Sequence, residues 1–324
     1  MNLPTQWGKV PASYFSATLG LTGLGAAWRH AHQQWGLPPA VGECLMLLAA
    51  VVWAWLLLGF IAKWLFARDA ALAEVRDAVQ CCFLGLAGVS TMLVALGALP
   101  YSRAIALALV LPGAVFTIGF AAWRTGTLWS SERNDSATTA VMYIPSVAGG
   151  FVSAIALSSM GWTQWGQMAF GVALLSWLAI ESVILRRLYI GPALAIPLRP
   201  TMGIQLAPPA VGLLAYLSLT GGVPDFAAHA LLGHAVLQVL VMLVRLRWVT
   251  RQAFTPSYWG FTFGITALAQ APLVMVAHGG SAPAAALAPL LFVLANVVVA
   301  ILLVLTVRFM FSPTLTPAPT TVAH

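Results

Sequence analysis

The sequence predicts an all-α polytopic membrane protein. Of its 324 residues, 60% are hydrophobic and 7% are charged, whereas an ordinary soluble domain has about 25% charged residues. The apolar residues form long runs, near or above the ~20 residues that a helix needs to cross a bilayer core. A transmembrane barrel would instead show ~10-residue alternating segments. This composition excludes a cytosolic enzyme, a disordered chain and a secreted disulfide-stabilised domain, because it cannot supply a polar surface.

Ten apolar segments predict ten transmembrane helices in a single transmembrane domain over residues 1–324. They cover residues 11–28, 39–62, 79–100, 102–123, 138–160, 163–185, 200–220, 226–244, 256–278 and 283–308. The connections after segments 3, 5, 7 and 9 are short and nearly uncharged, and those after the even segments hold most of the charge. Short connections force antiparallel neighbours, so the sequence predicts five helical hairpins in series. Residues 312–324 are expected to form a disordered tail.

The distribution of Lys and Arg predicts the orientation. With the N-terminus inside, the inner side holds thirteen of the fifteen basic residues, and the outer side holds Arg29 and Arg103. Cytoplasmic loops of membrane proteins carry an excess of Lys and Arg. We therefore expect a multi-pass protein of the inner (plasma) membrane with both termini cytoplasmic. The basic residues punctuate the apolar runs and form no soluble basic face, so nucleic acid is not an expected partner.

Helix-breaking residues concentrate in the odd-numbered segments, where Pro145, Pro208, Pro209 and Pro272 are the expected kinks. Proline removes a backbone donor, and in lipid the freed carbonyl is tolerated only where protein or water satisfies it. The odd segments are therefore expected to surround a cavity or axis, and the even segments to form an outer layer that faces lipid or other subunits. Close packing through small residues, without a pore, is the alternative that kinks alone leave open.

Uncharged polar residues on the odd segments favour a conduit. Thr262, Thr266 and Gln270 are spaced i, i+4 and i+8, which places them on one helix face. The other pore-lining candidates are Thr201, Gln205, Ser90, Thr91, Ser146 and Ser153. The odd segments contain no Asp, Glu, Lys or Arg, whereas a proton-coupled transporter usually carries buried ionisable residues on its pathway.

A neutral pathway binds ions weakly, which suits passive conduction. The inner-side cations favour anions over cations, although a positive-inside bias is general to membrane proteins and carries little weight by itself.

Glu181 is the carboxylate that lies well inside an apolar run. It is either a proton sensor or substrate ligand, or a structural group that supports packing of the sixth helix. The place of that helix in the outer layer favours the structural role. The cysteines and histidines lack metal-ligand spacing, so no metal is expected. No cofactor motif, nucleophile or paired carboxylate indicates an enzyme.

Six stretches of the sequence carry a resemblance to a known family. They are PASYFSATLGLTGLGAAW, STMLVALG, YIPSVAGGFVSAIAL, SWLAIESVILRRL, GIQLAPPAVGLLAYLSLTGGVPD and WGFTFGITALA, in segments 1, 3, 5, 6, 7 and 9. Together they resemble the tellurite-resistance/dicarboxylate transporter family, which includes the slow-type anion channels of plant guard cells. The resemblance covers about residues 11–308, which is nearly the whole chain.

The resemblance implies ten helices, arranged as five hairpins around a quasi-fivefold axis, with odd helices lining a central pore. It also implies a homotrimer with one pore per protomer. In this family a phenylalanine of the ninth helix plugs the pore, and the FTFG motif places it at Phe263. Gly260 and Gly264 flank this gate, and they either give the ring room to swing or let another helix approach. A ring across a narrow pore excludes water and so makes a dewetting barrier.

Two hypotheses for the function follow. The first is a passive channel for small monovalent anions such as chloride or nitrate, gated by Phe263. The alternative is a secondary transporter that exports oxyanions or C4-dicarboxylates, as in tellurite resistance. An ionisable residue in the odd helices would favour the transporter, and the predicted segments contain none.

Overall fold

The structure is a computed structural model, and it describes residues 10–130 and 137–311. Over these two ranges the secondary structure is helical, without strands, so the predicted all-α fold is confirmed. Lys9, Arg133 and the predicted tail at residues 312–324 lie outside the described residues.

Ten long helical segments lie within the described ranges, and we number them α1 to α10 in chain order. They are α1 Phe15–Trp35, α2 Pro39–Phe66, α3 Gln80–Ala98, α4 Arg103–Ser130, α5 Ala140–Ser159, α6 Thr163–Ile190, α7 Ile196–Leu219, α8 Phe226–Val249, α9 Pro256–Ala277 and α10 Ala282–Phe311. A short helix, Arg68–Arg76, connects α2 to α3. Among the residues that the structure describes, the nine helices from α2 to α10 are each long and apolar enough to cross a membrane.

Two odd helices are longer than the sequence predicts. α1 continues through the polar stretch RHAHQQ and ends at Trp35, where Gly36 with a φ of 66° forms a left-handed cap. α7 already begins at Ile196. As a result, α1 includes Arg29 and α7 includes Arg199, so the expectation of odd helices free of charge holds for the predicted segments but not for the complete helices.

Irregular turns occur near the start of four odd helices. α3 is interrupted at Leu84 and Gly85. α5 contains a π-helical turn at Ile144–Ala148, which includes Pro145. α7 starts with the 3-10 segment Ile196–Leu206 and becomes α-helical just before Pro208 and Pro209. α9 starts with a 3-10 turn, whereas Pro272 lies inside its regular part. These irregular turns lie at the same end of the bundle, the one with the longer connections.

The odd helices form an inner ring. Among the described residues, α1 contacts α3, α3 contacts α5, α5 contacts α7 and α7 contacts α9, and α9 packs back against α1. Each even helix packs outside, against its hairpin partner. The apolar windows of α3, α5, α7 and α9 are 72–78% buried, and those of the even helices are 17–33% buried. α1 is continuously buried from Phe15 to Gly25.

Two glycines of α1 let α9 approach closely. A Cβ atom on Gly20 would lie 2.2 Å from Oγ1 of Thr262, and one on Gly23 would lie 2.1 Å from Oγ1 of Thr266. Both distances are far below van der Waals contact. The two threonines of α9 therefore fill the space that the missing α1 side chains leave.

Two glycines of α9 make the equivalent contact with α7. A Cβ atom on Gly264 would lie 2.5 Å from the carbonyl carbon of Leu206, and one on Gly260 would lie 2.9 Å from Cγ1 of Ile204. Of the two roles that the sequence leaves open for these glycines, the contacts favour close helix approach over room for a moving ring. α9 is therefore wedged between α1 and α7.

We expect Gly264→Ala to lower stability, because its added Cβ meets backbone atoms of α7 that cannot rotate away. The free energy of unfolding should fall by about 1–3 kcal/mol, as for other overpacked interiors. Thermal unfolding in detergent, followed by tryptophan fluorescence, measures this change.

Gly119→Ala on α4 is the matched control, since a Cβ there meets nothing within 4 Å. It should leave the unfolding midpoint unchanged or slightly raised, because alanine favours the helix. Equal midpoints for the two variants would contradict the close packing of α9 on α7.

Candidate ion pathway

A small cavity lies inside the ring near the longer connections. Its volume is about 30 Å³, which is room for about two water molecules. Each odd helix contributes to its wall, with Ser16, Leu86, Tyr143, Pro208 and Trp259 among the lining residues. The wall is almost entirely apolar, so water or an ion gains few hydrogen bonds there.

A large cavity of about 510 Å³ occupies the other half of the ring. It is lined mainly by the last turns of the odd helices and reaches the short connections at Gly221, Gly222 and His278. Its wall includes the basic side chains of Arg29 and His30. A large, partly polar cavity with basic residues in its wall therefore faces a small apolar one inside the same ring.

Phe263 forms part of the wall of both cavities. Its side chain is buried, with 8% of its surface exposed. Val211 of α7 is the other described residue shared by the two walls. The phenylalanine ring thus lies at the boundary between the cavities, at the position where the resemblance expects a plug.

Two of the nine predicted pore-lining residues lie on a cavity wall. Thr266 and Gln270 both line the large cavity. The Gln270 amide donates to the carbonyl oxygens of Gly23 at 3.0 Å and Thr266 at 3.2 Å. Thr262, one turn earlier, packs on Gly20 and has no exposed surface. The face that the i, i+4, i+8 spacing identifies therefore points largely towards α1 and only partly into the cavity.

The two pore-lining candidates on α3, Ser90 and Thr91, make hydrogen bonds to a neighbouring helix or to their own helical turn. The hydroxyl of Thr91 donates to the carbonyl of Ala87 at 2.7 Å and accepts from the Trp53 indole of α2 at 3.0 Å. The hydroxyl of Ser90 donates to the same carbonyl at 3.1 Å. Thr91 thus faces the outer layer, away from the ring axis.

The candidates on α5 and α7 also have partners inside the helix bundle. Ser153 approaches the sulfur of Met92 on α3 at 3.7 Å, and Thr201 donates to the carbonyl of Leu198 at 2.6 Å. Ser146 is buried in the π-helical turn. Hydroxyls in helices commonly return their proton to a carbonyl one turn back, so a serine or threonine in an apolar helix is weak evidence for a pore wall.

Glu181 reaches inwards from α6 between α5 and α7. Its Oε2 accepts hydrogen bonds from the Tyr143 hydroxyl and the Trp177 indole, both at 2.7 Å. Its Oε1 accepts from Nε2 of Gln205 at 2.8 Å, and the same nitrogen lies 3.0 Å from the Tyr143 hydroxyl. We call Glu181, Tyr143, Trp177 and Gln205 the carboxylate network. Although the sequence assigns Glu181 to the outer layer, the network joins it to two ring helices.

The mouth of the large cavity carries charges that the sequence analysis did not place there. Arg29 forms a two-pronged ion pair with Glu43, with N–O distances of 2.8 and 2.7 Å. Tyr101 donates a hydrogen bond to the same carboxylate, and this bond raises the pKa of Tyr101. The place of Arg29 in the cavity wall depends on the length of α1. Its helix continues beyond Trp28, where the apolar run of the sequence ends.

Residues 9–307 match the model of the SLAC1 family, described as voltage-dependent anion channels. The chain belongs to this family. It is 30% identical over 299 residues to the tellurite resistance protein TehA homolog of Haemophilus influenzae, which covers 92% of this chain and 90% of that protein.

Two plant relatives match a shorter part. The guard cell S-type anion channel SLAC1 of Arabidopsis thaliana is 25% identical over 166 residues, covering 51% of this chain and 30% of that channel. The S-type anion channel SLAH3 of the same plant is 26% identical over 166 residues, with 51% and 26% covered. The family resemblance inferred from the six motifs is confirmed, and the chain belongs to a family of membrane anion channels and transporters.

Thiol labelling can test which face of α9 borders the large cavity. In a Cys44→Ser background, which removes the exposed native cysteine, Gln270→Cys should react with a water-soluble methanethiosulfonate reagent because Gln270 lines the cavity. Thr262→Cys should stay unmodified, since it lies against Gly20. Mass spectrometry of the folded protein in detergent gives the labelled fraction, and equal labelling of both variants would contradict the cavity assignment.

Proposed function

We propose that the protein is a passive channel for small monovalent anions such as chloride and nitrate, closed by Phe263. The observation that carries this proposal is the shared wall. The ring of Phe263 borders a large, partly polar cavity on one side and a small apolar cavity on the other. Removing this side chain would join two existing spaces into one lumen along the ring axis.

The closed state is explained by dewetting. The small cavity offers an ion almost no polar partners, and Phe263 adds an aromatic surface at its narrow end. A hydrophobic constriction of this kind blocks ions because water leaves it. Family membership supports an ion pathway, and the two cavities support its position on the axis.

Opening by rotation of the Phe263 side chain fits the packing better than movement of the helix. α9 is held by Gly20 and Gly23 on one side and by Leu206 on the other. A shift of α9 would break contacts on both sides, whereas a change of rotamer alters only the ring.

The proposed anion preference rests on the charges of the pathway. The large cavity is lined by Arg29, His30 and His278, and no carboxylate is among its lining residues in the described chain. The guanidinium of Arg29 is paired with the Glu43 carboxylate. In the orientation that the Lys and Arg distribution predicts, this cavity faces outwards and the small cavity faces the cytoplasm. Assembly as a homotrimer in the inner membrane is part of the same proposal.

Phe263→Ala should raise anion conductance at least severalfold in planar bilayers, because it removes the constriction. Phe261→Ala is the matched control on the same helix. Phe261 packs on Gly203 of α7 and stacks on Tyr258, away from both cavities. The control should leave conductance near the wild-type level. An unchanged current in a folded Phe263→Ala variant would refute the plug.

A transporter that exports oxyanions or C4-dicarboxylates is the second candidate. It is favoured by the similarity to the tellurite resistance protein TehA homolog of Haemophilus influenzae and by the basic residues that line the 510 Å³ cavity. This cavity is large enough for an anion bigger than chloride.

Reversal potentials separate the two candidates. Under a potassium chloride gradient, the Phe263→Ala current should reverse near the chloride equilibrium potential. A reversal near the potassium potential would exclude anion selectivity. Saturable dicarboxylate flux that is coupled to protons and produces no channel current would favour the transporter instead.

A further inference from the structure

Glu181 lies one hydrogen bond behind the wall of the small cavity. The ring of Tyr143 lines that cavity, and its hydroxyl donates to the Glu181 carboxylate at 2.7 Å. The main chain next to Gln205 is also close, since Ile204 lines the same cavity. A charge on Glu181 therefore acts across one layer of side chains on any ion that enters the small cavity.

The partners of Glu181 are those of an ionised carboxylate. The Tyr143 hydroxyl, the Trp177 indole and the Gln205 amide nitrogen all donate to it. A carboxylate accepts hydrogen bonds at both oxygens and donates none, and hydrogen bonds donated to the charged form stabilise it. All three donors are neutral groups, so they satisfy the oxygens without cancelling the charge.

The titratable and basic groups near the network have other partners. Arg187 of α6 donates to the carbonyl of Pro192, and the guanidinium of Arg199 on α7 lies 4.6 Å from the centre of the Trp248 ring. The imidazole of His234 on α8 packs on Trp177. On α5, Tyr143 itself is the titratable neighbour. In the described part of the chain, the salt bridges are Arg29–Glu43 and Lys63–Glu74, and neither involves Glu181.

Gln205 also provides for the protonated form of Glu181. Its Oε1 is buried and has no hydrogen-bond partner among the described residues. A protonated carboxyl group needs an acceptor for its hydrogen, and rotation of the Gln205 amide would turn this oxygen towards it. The Gln205 amide can therefore present either a donor or an acceptor to Glu181.

We propose that the Glu181 carboxylate is an electrostatic brake on anion passage through the small cavity, and that its protonation releases the brake. This inference rests on the proposed function, since it assigns a regulator to the same pathway. A fixed negative charge disfavours an anion nearby, and the effect is larger inside a protein than in water because the effective dielectric constant is lower. Glu181 is not among the residues that line the small cavity, so neutralising it removes no atom of the wall.

Glu181→Gln, which keeps the size of the side chain, tests the brake in the Phe263→Ala background, where the plug is absent. We expect chloride conductance to rise roughly tenfold to thirtyfold at neutral pH, the scale of one charge acting over about 8–12 Å through an effective dielectric constant of about 20. The Phe263→Ala current should also increase as the pH falls, and Glu181→Gln should reduce this increase.

Two controls separate charge from packing. Trp177→Phe removes one hydrogen bond to Glu181 but keeps its charge, so conductance should not rise. Asp69→Asn removes a carboxylate from an exposed site on the connecting helix, and it should have no effect. An equal rise in conductance in Trp177→Phe and Glu181→Gln would overturn the proposal. Conduction would then depend on the hydrogen bonds of the carboxylate network and not on its charge.

The pH profile gives the second decisive outcome. His30 and His278 also line the pathway, and their protonation favours anions as well. An acid-dependent increase that persists in full in Glu181→Gln would assign the effect to these histidines and overturn the brake.

A second experiment tests the brake independently of the plug. It compares chloride flux into liposomes between the wild-type protein and the single variant Glu181→Gln, both of which keep Phe263. Faster flux in Glu181→Gln supports the brake even if Phe263→Ala fails to conduct. Equal flux of the two folded proteins, together with equal conductance in the Phe263→Ala background, would overturn it.

Discussion

The rest of the structure depends on the close packing of α9 between α1 and α7. Threonines of α9 occupy the space above Gly20 and Gly23, and Gly264 lies directly against the backbone of Leu206. Glycine at these positions is a steric requirement, since any Cβ atom would fall within 3 Å of a neighbouring atom. This packing closes the ring and fixes the one residue of α9 that borders both cavities.

The same packing holds the ring helices around the two cavities. The irregular turns at the start of α5, α7 and α9 surround the small cavity, while the regular helical parts surround the large one. The even helices add an outer layer and contribute little to either wall. One member of that layer, α6, departs from this division because Glu181 reaches the ring helices through Tyr143 and Gln205.

The features that depend on hydropathy and on chain order could be predicted from the sequence. Apolar runs predict the helices, and the clustering of Gly and Pro predicts which helices are buried, because only a protein interior accommodates such backbones. The position of Phe263 came from the FTFG motif and not from periodicity. No periodicity could distinguish Thr262, which faces α1, from Gln270, which borders the cavity.

Other features depend on which neighbour lies opposite a residue, and a single sequence does not contain that information. Thr91 faces outwards because Trp53 of α2 offers it a hydrogen bond. Glu181 faces inwards because Tyr143 and Gln205 lie within reach. The polar end of α1 has the composition of a connection, but its residues continue the helix and bring Arg29 into the mouth of the large cavity.

The most direct test of the account is an experimental structure of the Phe263→Ala variant in lipid. We expect the small and large cavities to merge into one continuous lumen, with the backbones of α1, α7 and α9 unchanged. A lumen still divided at this level, or a ring that collapses to fill the space of the missing side chain, would contradict it.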